Sequence, residues 1–316
     1  MRAETNSPML ASPADLVVTP DEPFHGAVVE FRSAALPAGL HQAYEVAVLL
    51  SGGCRRQVEN ITLHAMPGDV SLCAPWESHA WRDARPRTRA LLMHFLPDFL
   101  GEESFEGASW LTLFALSPER RPRVKTPKAR ALMLTIAQEI RREMHRRLPG
   151  WITAARLGLL RLLLELSRQS QPPPGQPRPI RPETAARVMP ALKMMHHTSR
   201  RKITRSDAAA ACGLGPSRFG HLFRQVMGMS FGSFRRHARL GWAAQLLLTT
   251  DLSIDAVAEE SGFADASHLH HAFSQIYGTT PARYRTDAGR LPARGCVVLE
   301  STHAPAQPLS RSRRSR

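Results

Sequence analysis

At 316 residues the chain has room for two domains, and its 43% hydrophobic content is that of a folded globular protein rather than a disordered one. A formal charge of +15 excludes an acidic or neutral surface and suits a polyanionic partner, either nucleic acid or an anionic membrane. The four cysteines, Cys54, Cys73, Cys212 and Cys296, show neither paired nor metal-type spacing, which argues against a disulfide framework and for reduced thiols in a cytoplasmic protein.

In chain order, residues 1–23 lack a continuous apolar core behind a basic start, so a flexible N-terminus is expected rather than a signal peptide. From about 24 to 98 the pattern is short β-type runs, "GAVVEF", "YEVAVLL", "VSLCA" and "RALLMHF", separated by "SGG" and "MPGD". Such runs predict a small antiparallel barrel or sandwich. From about 127 the period becomes helical, with Leu132, Ile136, Ile140 and Met144 four apart on one stripe. "LPG" then breaks the chain. The following helix, Trp151 to about Arg168, is apolar over most of its circumference, which predicts burial against its own domain and against a second copy of the chain. Its run "LGLLRLLLEL" contains Arg161 and Glu165 and is half the length that a membrane span requires, so no membrane association is expected. Residues 169–182 read as a Pro-rich linker, 183–290 as wholly helical, and 291–316, ending "SRSRRSR", as a basic disordered tail. The basic excess is densest late in the chain. Residues 181–290 carry 15 Lys and Arg against 8 Asp and Glu, whereas the first 180 carry 22 against 18.

Two segments of the helical region share one plan: "ITRSDAAAACGLGPSRFGHLFRQVMGMS" and "LSIDAVAEESGFADASHLHHAFSQIYGTTP". Each has a short Ala-containing helix, a glycine break (Gly213, Gly262), a helix centred on phenylalanine (Phe223, Phe273), and a closing glycine (Gly228, Gly278). This is a duplicated helix-turn-helix, at about 204–227 and 253–277, a unit that places its second helix in the major groove. Pro216 suits the first helical position after Gly215, and Asp265 suits a cap. The connecting stretch "SFGSFRRHARLGWAAQLLLTT" makes a helix of about 30 Å at about 1.5 Å per residue. A spacer of that length can hold two reading helices one DNA turn apart, about 34 Å.

Residues 203–287 resemble the AraC-type (arabinose-regulator family) DNA-binding domain across both units and their connecting helix. "GMSFGSFRRHARLGWAAQLLLTTDLSIDAVAEESGFAD" and "FSQIYGTTPARYR" carry the resemblance most specifically. It implies that Ser217, Gly220, His221 and Arg224 of the first reading helix face DNA, with Arg218 near phosphate. In the second helix it directs Ala266, Ser267, His270 and His271 at base edges. The family often has arginine where His221 and His271 stand. Histidine cannot make arginine's bidentate guanine contact, so a different operator is implied, with affinity rising as pH falls. A zinc site from His268 and His271, three apart, lacks a third ligand nearby.

"HQAYEVAVLLSGG" and "PGDVSLCAPWESHAW" resemble the two segments of the cupin barrel that precedes the DNA-binding domain in many AraC-type regulators, covering roughly 24–98. Gly39 stands where the usual first histidine of the metal pair would be, and Ala74 and Trp76 stand where Pro and Gly are common. His41, Glu45 and His79 could supply three metal ligands, with His94 a distant fourth. The expectation is instead a small-molecule effector pocket at the barrel mouth, lined by His41, Tyr44, Glu45, His79 and Trp81, with no bound metal and no cofactor. The whole then reads as an α+β multidomain protein. It comprises a cupin-like sensor with a helical dimerisation segment (24–168), a linker (169–182), an all-α double helix-turn-helix domain (183–290) and a tail. The implied function is a cytoplasmic, dimeric, effector-responsive transcription activator that binds double-stranded DNA and contacts RNA polymerase. It would not be an enzyme, since no phosphate loop, nucleophile elbow or paired catalytic carboxylates occur. The competing readings are a metal-dependent cupin enzyme fused to a DNA-binding domain and a nonspecific nucleoid-type binder.

Overall fold

A computed structural model describes residues 9–10, 18–32, 39, 41–59, 61–105, 108–169, 180–197, 203–290 and 296–302. Eleven strands are described: β1 (Met9–Leu10), β2 (Phe24–Phe31), β3 (Tyr44–Ser51), β4 (Cys54–Val58), β5 (Ile61–Ala65), β6 (Val70–Cys73), β7 (His79–Arg82), β8 (Arg89–Phe95), β9 (Ser104–Phe105), β10 (Ala108–Ser109) and β11 (Cys296–Ser301). The helices are α1 (Pro97–Leu100), α2 (Leu111–Ala115), α3 (Pro127–Arg146), α4 (Trp151–Arg168), α5 (Pro182–Ala186), α6 (Met189–His197), α7 (Arg205–Ala211), α8 (Pro216–Met227), α9 (Phe231–Thr249), α10 (Ile254–Glu260), α11 (Ala266–Tyr277) and α12 (Pro281–Arg290).

The N-terminal region is built on an antiparallel six-stranded sheet, ordered β1-β11-β2-β8-β3-β6, and a three-stranded sheet, β5-β4-β7. Strands β2, β3 and β8 are apolar on both faces because the larger sheet is covered on both sides. Side chains alternate across a strand. Val28, Val46, Val48, Leu91, Met93 and Phe95 join the cluster that contains Met133, Ile136, Ile140 and Leu159 of α3 and α4. Their neighbours Ala27, Val29, Ala47, Leu49, Ala90 and Leu92 pack with Cys54 and Trp81 of the smaller sheet. All four β-type runs of the sequence are strands. The smaller sheet escaped that reading, because "CRRQV" looks like a polar loop until alternate residues are separated. Cys54, Arg56 and Val58 are buried while Arg55 is exposed.

Helices α3 and α4 meet as a hairpin whose turn uses left-handed backbone at Arg147 (φ 49°) and Gly150 (φ 86°). Ala155, Leu159, Leu162, Leu163 and Leu166 of α4 are buried, whereas Ile152 and Leu157 stay 44% and 61% exposed. In the C-terminal region each helix-turn-helix has its own cap. Thr204 and Asp207 form a reciprocal capping box on α7, and the Ser253 hydroxyl accepts the Ala256 N–H at the start of α10. Phe219, Phe223, Phe231 and Phe234 of the first unit are continuous with the sensor-side core, while Leu240, Leu247, Val257, Leu269 and Phe273 form a separate core in the second.

One expectation is corrected. Residues 291–316 read as a disordered tail, yet 296–301 form β11, inserted between β1 and β2. Cys296 and Val298 face the buried side and Leu299 is 38% exposed, so "CVVLES" is a short alternating strand hidden in basic, Pro-containing surroundings. Residues 1–8, 11–17, 170–179 and 303–316, which hold most of the expected N-terminal segment, linker and tail, lie outside the described residues. Burying an unpaired charge at β11 should cost about 3 kcal/mol. Val298→Asp is therefore expected to lower the thermal midpoint by several degrees, and Leu299→Asp to leave it nearly unchanged, in differential scanning fluorimetry of the full chain.

Candidate functional site

The reading helices are set up as their local chemistry dictates. Helix α8 starts at Pro216 behind Gly215, where a missing N–H leaves nothing unpaired, and ends at Gly228 in left-handed backbone (φ 72°). Helix α11 is capped by Asp265, whose carboxylate accepts the His268 N–H at 2.8 Å, and ends at Gly278 (φ 67°). Phe219, Phe223, Val226 and Met227 bury one face of α8, and Leu269 and Phe273 bury the matching face of α11.

The opposite faces are free. Ser217, Arg218, His221 and Arg224 are exposed and Gly220 is half-buried, spaced three and four apart along α8. Ser267, His270 and His271 are exposed on α11, with Ala266 half-buried at its first position. Nothing lies within 4 Å of where a Cβ on Gly220 would stand, so that point of the α8 face is open. His268 turns back to Asp265 (Nδ1 to Oδ2, 3.2 Å), away from a shared site with His271. Gln275, exposed and one turn beyond His271, lies 3.0 Å from its Nε2 and belongs to the same face. Its i+4 spacing was the available signal for including it.

In the sensor region the structure gathers His41, Glu45, His79 and His94, so His94 is an immediate neighbour rather than a distant fourth. Register puts Glu45 opposite both His94 on β8 and Cys73 on β6. One carboxylate oxygen, Glu45 Oε2, has His94 Nε2 at 2.8 Å, and His41 Nε2 and His79 Nε2 each at 3.5 Å. The other, Oε1, is taken by the buried guanidinium of Arg56, which also donates to Cys73 Sγ at 3.2 Å. Burial works against the Glu45 charge, but Arg56 and then His79 hold its pKa well below the usual carboxylate range. Burial likewise opposes the charge on Arg56, and Glu45 more than compensates. His79 is pushed down to about 3, by burial first and by Arg56 and His41 after it, against the pull of Glu45. His41 is lowered by burial and then by His94.

Two of the rings have a fixed tautomer. His41 Nδ1 lies 3.1 Å from the Ala43 carbonyl and His79 Nδ1 2.8 Å from the Glu77 carbonyl. A carbonyl only accepts, so Nδ1 carries the proton and each Nε2 presents a lone pair towards Glu45. His41 Nε2 is buried and makes no hydrogen bond. Two sets of three ligand atoms share Glu45, one with His41 and His94 and one with Cys73 and His79, and each is a donor set of the kind that a divalent transition ion takes. His41, Glu45 and His94, or Glu45, Cys73 and His79, would hold such an ion, which would supply Lewis-acid or cross-linking chemistry when bound. Glu45 and His94 have no solvent exposure, so the enclosure has the closed character of a structural site.

The expected effector residues divide. His41, Glu45 and His79 belong to this cluster, and Trp81 lies beside it, its ring 4.3 Å from the Arg56 guanidinium carbon. Tyr44 does not join them. As the neighbour of Glu45 on a strand it points to the opposite face of the sheet. There it packs on Phe95, Trp110 and Phe114 and donates its hydroxyl to Met227 Sδ of α8 at 3.5 Å. Trp76, which stands where glycine is common, does adopt left-handed backbone (φ 67°). Its ring fills the space over Gly241 of α9, where any Cβ would overlap it.

A capped pair of short helices, repeated once and joined by a 19-residue helix, is a double helix-turn-helix DNA-binding domain. The family described as a helix-turn-helix domain matches residues 208–287. The transcriptional activator NphR of Rhodococcus sp is 36% identical over 111 residues, 35% of this chain and 32% of that protein. The arabinose operon regulatory protein of Escherichia coli (strain K12) is 39% identical over 72 residues, 23% of this chain and 25% of that one. ToxT from Vibrio cholerae O395 superposes with a TM-score of 0.47 at 11% identity, covering 84% of this chain and 97% of that one. The chain spans about a third of the length of the curated relatives it matches. Residues 208–287 belong to the AraC-type helix-turn-helix family.

Glu45→Gln would leave the Arg56 guanidinium buried without its counter-charge. It is expected to cost about 3–5 kcal/mol, read as a lower urea midpoint of the full chain.

Proposed function

We propose that the protein is a sequence-specific, effector-responsive transcription regulator. The observation that carries this is the pair of helices α8 and α11, each stopped by a left-handed glycine, burying a phenylalanine face and presenting a polar one. Ser217, Gly220, His221 and Arg224, and Ala266, Ser267, His270 and His271, then face base edges in successive major grooves, while Arg218 and other basic side chains neutralise phosphates. The leaning towards an activator in the cytoplasm, contacting RNA polymerase, follows the relatives' kind, one of which is named an activator. Among the described residues no helix is long and apolar enough to cross a membrane. Ile152 and Leu157, large apolar side chains left exposed on α4, support pairing of two chains through that helix.

Regulation requires that a ligand have different affinity for two arrangements of sensor and reader. Arg121 offers a route between them. It lines the chamber between the two sheets, pairs with Glu77, and donates to the carbonyls of Leu72, Phe114 and Leu116. Phe114 belongs to α2, and Ala115 O of the same helix lies against Gly228 at the end of α8. A ligand that shifts Arg121 therefore acts on the seat of the first reading helix.

The second reading, a metal-dependent cupin enzyme, is favoured by the convergence of three imidazoles on Glu45. Its closed geometry suits a structural ion better than turnover. Iron, manganese or zinc at one per chain in elemental analysis, together with an open coordination position in absorption spectroscopy of the cobalt form, would support the enzyme.

The regulator reading is tested at one side chain. His271→Ala is expected to lower affinity for a selected site by about tenfold or more and for random DNA far less, in titrations at matched salt. Equal loss on both sequences removes His271 from base readout.

A further inference from the structure

Between the two sheets lies a chamber of about 240 Å³. Its walls are largely apolar, with Leu49, Val58, Ile61, Leu63, Val70 and Leu72 among them. Arg56, Ser71 and Trp81 also line it, and all three carry hydrogen-bonding atoms that the protein does not use. Arg56 Nε and Nη1, Trp81 Nε1 and Ser71 Oγ are buried without a hydrogen-bond partner among the described residues. Arg56 and Trp81 are each only 3% exposed, so these are interior donors rather than surface groups.

The sign of the imbalance is what matters. Three of the four atoms can only donate and the fourth can donate, so together they call for an acceptor. The wall's own carboxylate is already engaged: Asp69 accepts from Arg130 Nε at 2.7 Å and from the Met66 N–H at 2.8 Å. Arg121 is tied to Glu77, whereas Arg123, exposed at the edge of the lining, adds positive charge. A cationic guest would meet donors and arginines. A neutral apolar guest would leave the donors buried and unpaired, at a cost of about 1–3 kcal/mol for each group. Water would pair with them but would also wet the apolar wall.

We infer that this chamber binds a small apolar carboxylic acid as its anion, the carboxylate accepting from Arg56, Trp81 Nε1 and Ser71 Oγ and the hydrocarbon lying against the β4–β6 wall. Size sets an upper bound on the guest. An apolar cavity of about 150 Å³ holds a benzene ring, so about 240 Å³ admits one ring with a short side chain, or an aliphatic acid of similar bulk. Trp81 supports the face of the Arg56 guanidinium, and Glu45 holds its Nη2 from behind, so the remaining nitrogens stay fixed. The ligand class stands on these contacts; calling that ligand the effector rests on the regulator reading above.

The test is calorimetric titration of the full chain with octanoate and 3-phenylpropanoate, each beside its matched alcohol and amine. The carboxylates are expected to bind at least about tenfold tighter than the alcohols, with the amines weakest, as hydrogen bonds to a charged group imply. Trp81→Phe removes the N–H while leaving a smaller aromatic face beside Arg56, and Ser71→Ala removes only the hydroxyl. Each should weaken octanoate by about fivefold or more and leave octanol unchanged, with unfolding midpoints recorded to show that the fold is retained. Arg56 is not the first choice for substitution, because its loss strands Glu45. Equal affinity for acid and alcohol, preference for the amine, no binding of either carboxylate, or insensitivity to both variants would each overturn the inference. Selective DNA binding that persists when carboxylates fail to bind would sink this inference alone. Carboxylate binding to a chain without DNA selectivity would sink the regulator reading alone.

Discussion

The Glu45–Arg56 ion pair is the constraint around which the N-terminal region is organised. A carboxylate and a guanidinium held away from water are costly unless each satisfies the other and their remaining valences are met. Glu45 achieves this with both oxygens, one on Arg56 and the other on His94 Nε2. Arg56 achieves it only in part, through Glu45, Cys73 and the Trp81 face, and its unspent donors open onto the chamber. The same pair joins β3 of the large sheet to β4 of the small one, so the geometry that brings the sheets together also gives the cavity its chemical character. The histidine cluster and the chamber are thus two sides of one polar seam in an otherwise apolar sandwich.

The helix-turn-helix region is joined to this N-terminal region by packing as well as by chain connection. Tyr44 reaches Met227 across the boundary, Trp76 fills the space over Gly241, and Lys193 Nζ pairs with Asp98 at 2.6 Å. The first helix-turn-helix shares a hydrophobic core with the sensor, and the second has its own. Dense, shared packing transmits displacement better than a solvated contact does. The two helix-turn-helix units therefore differ in how closely they are packed to the N-terminal region, although their sequences repeat one plan.

The sequence made the C-terminal half legible in detail, because caps, glycine stops and phenylalanine spacing are local signals. Pro216, Asp265, Gly228 and Gly278 all stand where their chemistry predicted. The N-terminal half was legible as strands where both faces are apolar, as in β2, β3 and β8. It was obscure where a strand carries charge inward. Arg56 was missed for that reason, although it alternates with the buried Cys54 and Val58. Tyr44 was grouped with Glu45 by adjacency, and strand geometry sends the two to opposite faces. Trp76 in left-handed backbone reflects a demand that only tertiary context reveals, because the glycine that makes room for the ring sits 165 positions further along, in α9.

The path of the last strand has a mechanical meaning. The polypeptide leaves the sheet, builds the whole reader, and comes home at Cys296 to lie beside β2. The helix-turn-helix region is thereby an insertion in the path of the sheet, joined to it along the chain on both sides. From Arg290 at the end of α12 to Cys296 the backbone can stretch to about 20 Å at most. The end of α12 therefore stays within that reach of the sheet while β11 keeps its register. Any larger excursion on DNA must first peel that strand out, exchanging its ladder of backbone hydrogen bonds for reach.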